Sequence, residues 1–185
     1  MRVWRIGALL AALLAGPSCG IPQDPHPNVV PGGAIGPALG APAATAEPAG
    51  VDVTVFFVRA NQVVPIGRTA VRVDADAALQ SLLSGPSEQE LAAGLRTALT
   101  GPADVRLLRA EGPTAHVDLA APFAAISGQE QILALAQVVL TATAVSGITD
   151  VRISLEGQPV DVPRGDGTLS PGPLTAGDYA SLRGR

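Results

Sequence analysis

Lysine is absent from the 185 residues, so all twelve basic side chains are arginine. They are scattered, and no basic run offers the patch that nucleic acid or anionic lipid headgroups require. Removing Arg2 and Arg5, which fall in the leader described below, leaves ten arginines facing sixteen carboxylates, a net charge of about −6. The single cysteine, Cys19, excludes an intrachain disulfide. Aromatics make up 3% of the chain and the sole tryptophan is Trp4. A core must therefore be assembled from Ala, Val, Leu and Ile. The two histidines, His26 and His116, are far apart in sequence, so no His/Cys metal set is visible and no cofactor is expected. No G-x-S-x-G elbow and no Walker loop occurs.

The N-terminus has an order of its own. Met1–Arg5 carries two positive charges, Ile6–Gly16 is apolar, and Pro17-Ser18-Cys19 follows. Charged, apolar and small-residue regions in that order form a secretory signal over residues 1–18, too short for the roughly 20 residues that span a bilayer. A cysteine directly after the apolar region resembles a lipobox, which implies a diacylglycerol on the Cys19 thiol and an anchor on the extracytoplasmic side of the cell membrane. An ordinary secretory signal with an incidental cysteine is the alternative.

Residues 19–50 are rich in Pro, Gly and Ala and read as a tether. About 30 residues in polyproline geometry reach up to about 90 Å. The folded domain is expected over 51–182, with 183–185 as a tail; its length of about 135 residues suits one core. Val51, Val53, Val55 and Phe57 alternate as in a strand. Gln62–Val73 reads as a second strand, broken near Pro65-Ile66-Gly67. Asp74 is placed to cap a helix bearing Ala78, Leu79, Leu82 and Leu83, stopped by Gly85-Pro86. Ser87-x-x-Glu90 and Ser127-x-x-Glu130 both have the spacing of a capping box. The second opens the longest helix, about 129–145, with Ile132, Leu135, Ala136, Val139, Leu140 and Thr143 as its buried stripe and Gly147 as its cap. Strands are expected at 104–109, 114–119 and 151–155, and Thr175-x-x-Asp178 caps a last turn holding Tyr179. The pattern predicts an α+β two-layer sandwich, a mixed or antiparallel sheet with two main helices on one face.

Chemistry is sparse. Asp74/Asp76 and Glu88/Glu90 sit at helix starts, where the dipole favours negative charge. Arg164-Gly165-Asp166 lies in a Gly-rich turn. His116 and Asp118 share one strand face and are the sole pair with the types needed for a hydrolase.

The residues carry a resemblance. Leu82-Leu83-Ser84-Gly85-Pro86, Gly94-Leu95-Arg96-Thr97-Ala98-Leu99, Val117-Asp118-Leu119 with Phe123, Ala136-Gln137-Val138-Val139-Leu140-Thr141, Val151–Gly157, and Gly172-Pro173-Leu174 with Asp178-Tyr179 resemble, in order and spacing, the GerMN domain. The setting resembles that of actinobacterial LpqB-like lipoproteins without their large C-terminal region. The resemblance implies an interaction module with no known enzymatic activity, similar in fold to ring-building motifs of secretion assemblies.

The reading at this level is a non-catalytic, lipid-anchored binding module of the cell envelope that docks on another envelope protein or assembly, for example through a sheet edge. The alternative is a small-ligand or cell-wall glycan binder. Arg59, Arg68, Arg72, His116 and Asp118 are the candidate contacts.

Overall fold

The computed structural model describes residues 50–101 and 104–184. The signal, Cys19 and the tether lie outside the described residues. The chain begins with a hairpin, β1 (Val51–Arg59) and β2 (Gln62–Ala70), closed by the two-residue turn Ala60-Asn61 with both φ angles positive. Two helices follow, α1 (Ala75–Leu83) and α2 (Glu88–Ala92). A second hairpin pairs β3 (Val105–Glu111) with β4 (Thr114–Leu119). The long helix α3 (Gly128–Thr143) then crosses to β5 (Asp150–Leu155), which runs parallel to β4. Short strands complete the chain: β6 (Gln158–Pro159), β7 (Val162–Pro163), β8 (Leu169–Ser170) and β9 (Leu174–Thr175), ahead of a 3-10 segment, Ala176–Leu182.

The class is α+β, as the pattern predicts. The main sheet runs β3-β4-β5, with β6 and β9 at opposite ends of the far edge of β5. β1 and β2 form a separate two-stranded sheet. Helices α1 and α3 pack on one face of the main sheet, against β3 and β5, and both reach over to β1. The other face of the main sheet meets solvent.

Several local expectations hold at atomic detail. The Asp74 carboxylate accepts the Ala77 N–H at 2.8 Å. Ser87 and Glu90 complete their capping box. Gly85 ends α1 with φ +76°. Four expectations are corrected.

β2 is unbroken through Pro65-Ile66-Gly67, because Pro65 lies opposite Phe56 at a pair whose N–H and C=O groups point away from the partner strand, so its missing donor costs no ladder bond. Ser127 makes no side-chain cap bond to α3. Glu130 instead takes a fork of two charge-assisted bonds from Arg96, at 2.7 and 2.8 Å, which a neutral cap does not match. α3 has no one-sided stripe: Leu133–Ala142 is buried throughout, because β1, α1, β5 and the C-terminal turn surround it, while Ile132 and Thr143 are only partly buried. Its C-cap is Ala144, and Gly147 turns the chain three residues later.

A buried polar clamp ties the separate hairpin to α3. The outward N–H of Phe56 donates to Thr141 Oγ1 at 3.1 Å. Its C=O accepts from Gln137 Nε2 at 2.8 Å, and Gln137 Oε1 accepts the Ala98 N–H at 2.7 Å. Val58 exchanges two backbone bonds with Arg96, each 2.8 Å, and the Val63 carbonyl accepts from Gly184. The open sides of the hairpin are thus met by a helix, a loop and the C-terminal end rather than by further strands.

Candidate functional site

The alternation of β4 decides what faces solvent. Ala115, Val117 and Leu119 enter the core. Thr114, His116 and Asp118 therefore lie on the opposite face. Strand register places a row across this face: Arg109 on β3, His116 on β4 and Arg152 on β5. The next row is Arg106, Asp118 and Ser154. A bulge at Leu108 sets the first row, since Leu107 pairs with Val117 and Arg109 with His116.

His116 and Asp118 share the face, as expected, yet they do different things. Asp118 is 8% exposed. One carboxylate oxygen accepts from the Ser154 hydroxyl at 2.5 Å and the Gly157 N–H at 2.8 Å, and the other takes Arg106 at 3.3 Å. It latches the Glu156-Gly157 turn that links β5 to β6. The Ser154 bond holds the Asp118 carboxyl below its ordinary range; burial opposes this, and Gly157 and Arg106 reinforce it. His116 Nε2 lies 3.5 Å from a Glu111 oxygen. The two side chains make no bond to each other and form no acid–base dyad.

Asp118→Ala is expected to destabilise the domain by about 1–2 kcal/mol at neutral pH, since the part-buried Ser154 hydroxyl and the Gly157 N–H lose their acceptor. The acid limb gives the sign. A carboxylate whose pKa is depressed by folding contributes fully above the ordinary Asp range, about 4, and loses that contribution as pH falls through its folded value. Asp118→Asn should flatten the loss of stability between neutral and acid pH; an unchanged slope in urea melts across that range would contradict the latch.

Three other candidates are dispersed. Arg68 donates to Glu90 at 2.5 Å and to the Gly85 carbonyl at 3.0 Å, and its guanidinium lies 5.3 Å from the Phe57 ring centre. It fastens β2 to the α1–α2 link. Arg72 pairs with Asp74 at 3.1 Å at the entrance to α1. Arg59 is exposed at the hairpin tip. The three do not converge on a cleft. In the Arg164-Gly165-Asp166 turn, Arg164 meets Asp178 at 3.0 Å and Asp166 accepts from the Thr168 N–H and hydroxyl, so the triplet is engaged in its own turn.

Among the described residues no cluster of three or more His, Cys, Asp or Glu is arranged to hold a metal ion. Among the same residues no helix is long and apolar enough to cross a membrane. Sequence reasoning did not single out Arg109 and Arg152. Their alternation is visible in each strand, but the register that aligns them with His116 is set by the β3 bulge and the parallel β4–β5 pairing, neither of which leaves a local signal.

Comparison with known proteins closes the case for the family. The Germane family, described as sporulation and spore germination, matches residues 48–161. The tandem GerMN domains of the sporulation protein GerM from Bacillus subtilis align at 22% identity with a TM-score of 0.53, covering 74% of this chain and 47% of that one. The chain thus spans about half of the tandem structure's length. The first GerMN domain of the same protein aligns at 22% identity and TM-score 0.52, over 68% of this chain and 97% of that one. These likenesses concern the fold. Comparison with curated proteins gives no match. The matched segment holds both hairpins, the three helices and the Asp118 latch, and the chain belongs to the Germane family of GerMN-type domains.

Proposed function

We propose that this chain is an interaction module of the cell envelope, lipid-anchored through Cys19 on the extracytoplasmic side and without catalysis of its own. The observation that carries this reading is the outer edge of β3. Among the described residues, the seven residues Val105–Glu111 make backbone strand bonds to β4 alone. Six of the seven are exposed or partly so, including Leu108 at 45%. A strand with one free edge is a template for an extended segment of a partner. The leader and the tether before Val51 supply the anchor and the reach. The reported family relatives are described by sporulation, and a sporulation role for this chain is part of the proposal.

Two measurements test it. Cys19→Ala should move the protein from the membrane to the soluble fraction; unchanged fractionation would remove the lipid anchor from the reading. Crosslinking of the anchored protein in intact cells should capture one or two envelope proteins. Ala110 pairs with Ala115 one step from the hairpin end, at a position whose N–H points outward. Ala110→Pro should abolish the capture while circular dichroism stays unchanged. Capture of bulk wall material only, or equal capture by a folded Ala110→Pro protein, would overturn docking at this edge.

A further inference from the structure

We propose that the cleft on the solvent face of the main sheet is a binding site for an oxyanion group, a phosphate or a carboxylate. It stands on the side-chain row there and is independent of docking at the β3 edge.

The cleft encloses about 290 Å³. Arg109, His116 and Arg152 form its floor, Ser154 lies beside them, and Pro159 and Pro171 stand at its walls. Two guanidiniums on strands two apart are separated at the backbone by about 10 Å, twice the inter-strand spacing, with the imidazole between them. That span admits one oxyanion bridging both forks. Planar guanidinium donors suit phosphate and carboxylate oxygens because two N–H groups present in parallel.

The charge arrangement singles out this cleft. No carboxylate lines it, in a chain of net charge −4. Acids on the three strands of this sheet have partners of their own. Glu111 meets Arg109 Nε at 2.6 Å and His116 at 3.5 Å. Asp118 holds Ser154, Gly157 and Arg106. Asp150 accepts from the Thr114 and Thr149 hydroxyls at 2.7 and 2.9 Å. Among the described residues Arg152 has no acid within ion-pair distance, and its side chain is exposed. A bound oxyanion would supply the counter-charge that Arg152 lacks, with Arg109 and His116 beside it in the row. The Asp118 latch holds Ser154 and Gly157, two residues of the cleft lining, in place before any ligand arrives, which limits the ordering cost of binding.

The test uses the full chain and its two histidines. Imidazole proton resonances are followed by NMR at constant pH and ionic strength, with the His116 signal assigned by its loss in His116→Gln. Inorganic phosphate and acetate are titrated separately, with chloride as the ionic-strength control. The expected result is a saturable shift of the His116 signal with phosphate or acetate and none of the His26 signal. Arg152→Gln should weaken that binding by on the order of tenfold, and Arg59→Gln, at the hairpin tip, should leave it unchanged. Tighter phosphate binding would indicate a phosphate-bearing polymer or ester, and tighter acetate binding a peptide or sugar carboxylate. Equal shifts with chloride, no saturation with either anion, or full binding by Arg152→Gln would each overturn the assignment.

Discussion

Gln137→Leu is expected to cost about 2–6 kcal/mol of folding stability and to bring the domain close to unfolding. The substitution preserves side-chain volume and apolar packing within α3, so the loss isolates polar satisfaction. It leaves the Phe56 carbonyl and the Ala98 N–H buried without partners. Each such group costs about 1–3 kcal/mol, against a total of about 5–15 kcal/mol for a domain of this kind. Thr141→Val should cost less, because it strands only the Phe56 N–H. The sole tryptophan is Trp4, outside the matched domain, so urea melts are best followed by far-ultraviolet circular dichroism. A Gln137→Leu protein within 1 kcal/mol of the parent would show that the clamp is not needed to hold the hairpin on the helix.

Tyr179→Ala is expected to cost about 3–5 kcal/mol, the range for deleting a buried aromatic ring. The ring is fully buried beside α3, and its hydroxyl donates to the Pro163 carbonyl at 2.8 Å. It joins the C-terminal turn to β7. Tyr179→Phe keeps the ring and should cost about 1 kcal/mol, the value of one hydrogen bond. The same contrast has a pH signature. Burial, and then the neighbouring Asp178 charge, raise the Tyr179 phenol well above its ordinary value, with Arg164 opposing them weakly. A group raised by folding contributes its stability below the unfolded pKa, about 10, and loses it as pH rises from there. The parent should therefore weaken above about pH 10, and Tyr179→Phe should weaken less. Because Tyr179 is the only tyrosine, its phenolate absorbance reports the titration without overlap. Ionisation at the ordinary phenol range with the fold intact would contradict the burial argument.

Much of this architecture could be read from local chemistry. The Asp74 cap, the Ser87–Glu90 box, the Gly85 stop and the strands around Val55, Val117 and Val151 rest on neighbours within a few residues, and all are present. What escaped depends on distant partners. Glu130 has capping-box spacing, yet Arg96, 34 residues away, takes its carboxylate. Gln137 sits in an apolar helix and carries no local sign that two loosely related backbone segments converge on it. Pro65 signalled a break because a sequence does not state which edge its nitrogen faces. The solvent-face row was half legible: His116 and Asp118 were placed on one face, but Arg109 and Arg152 joined them only through register. Cys19 rests on sequence order alone.

The clamp also has a bearing on the order in which the domain acquires its structure. Phe56 is bonded to residues 81 and 85 positions further along the chain. A chain that emerges from its N-terminus presents the first hairpin long before Gln137 and Thr141 arrive to secure it. Until then the outward amide of Phe56 faces water or any strand nearby, and an isolated two-stranded hairpin is marginal. The non-local closure falls on α3, the crossover helix between the parallel strands β4 and β5 and the element that locks the hairpin. A helix buried along ten consecutive residues is thus the late support of a hairpin that opens the domain.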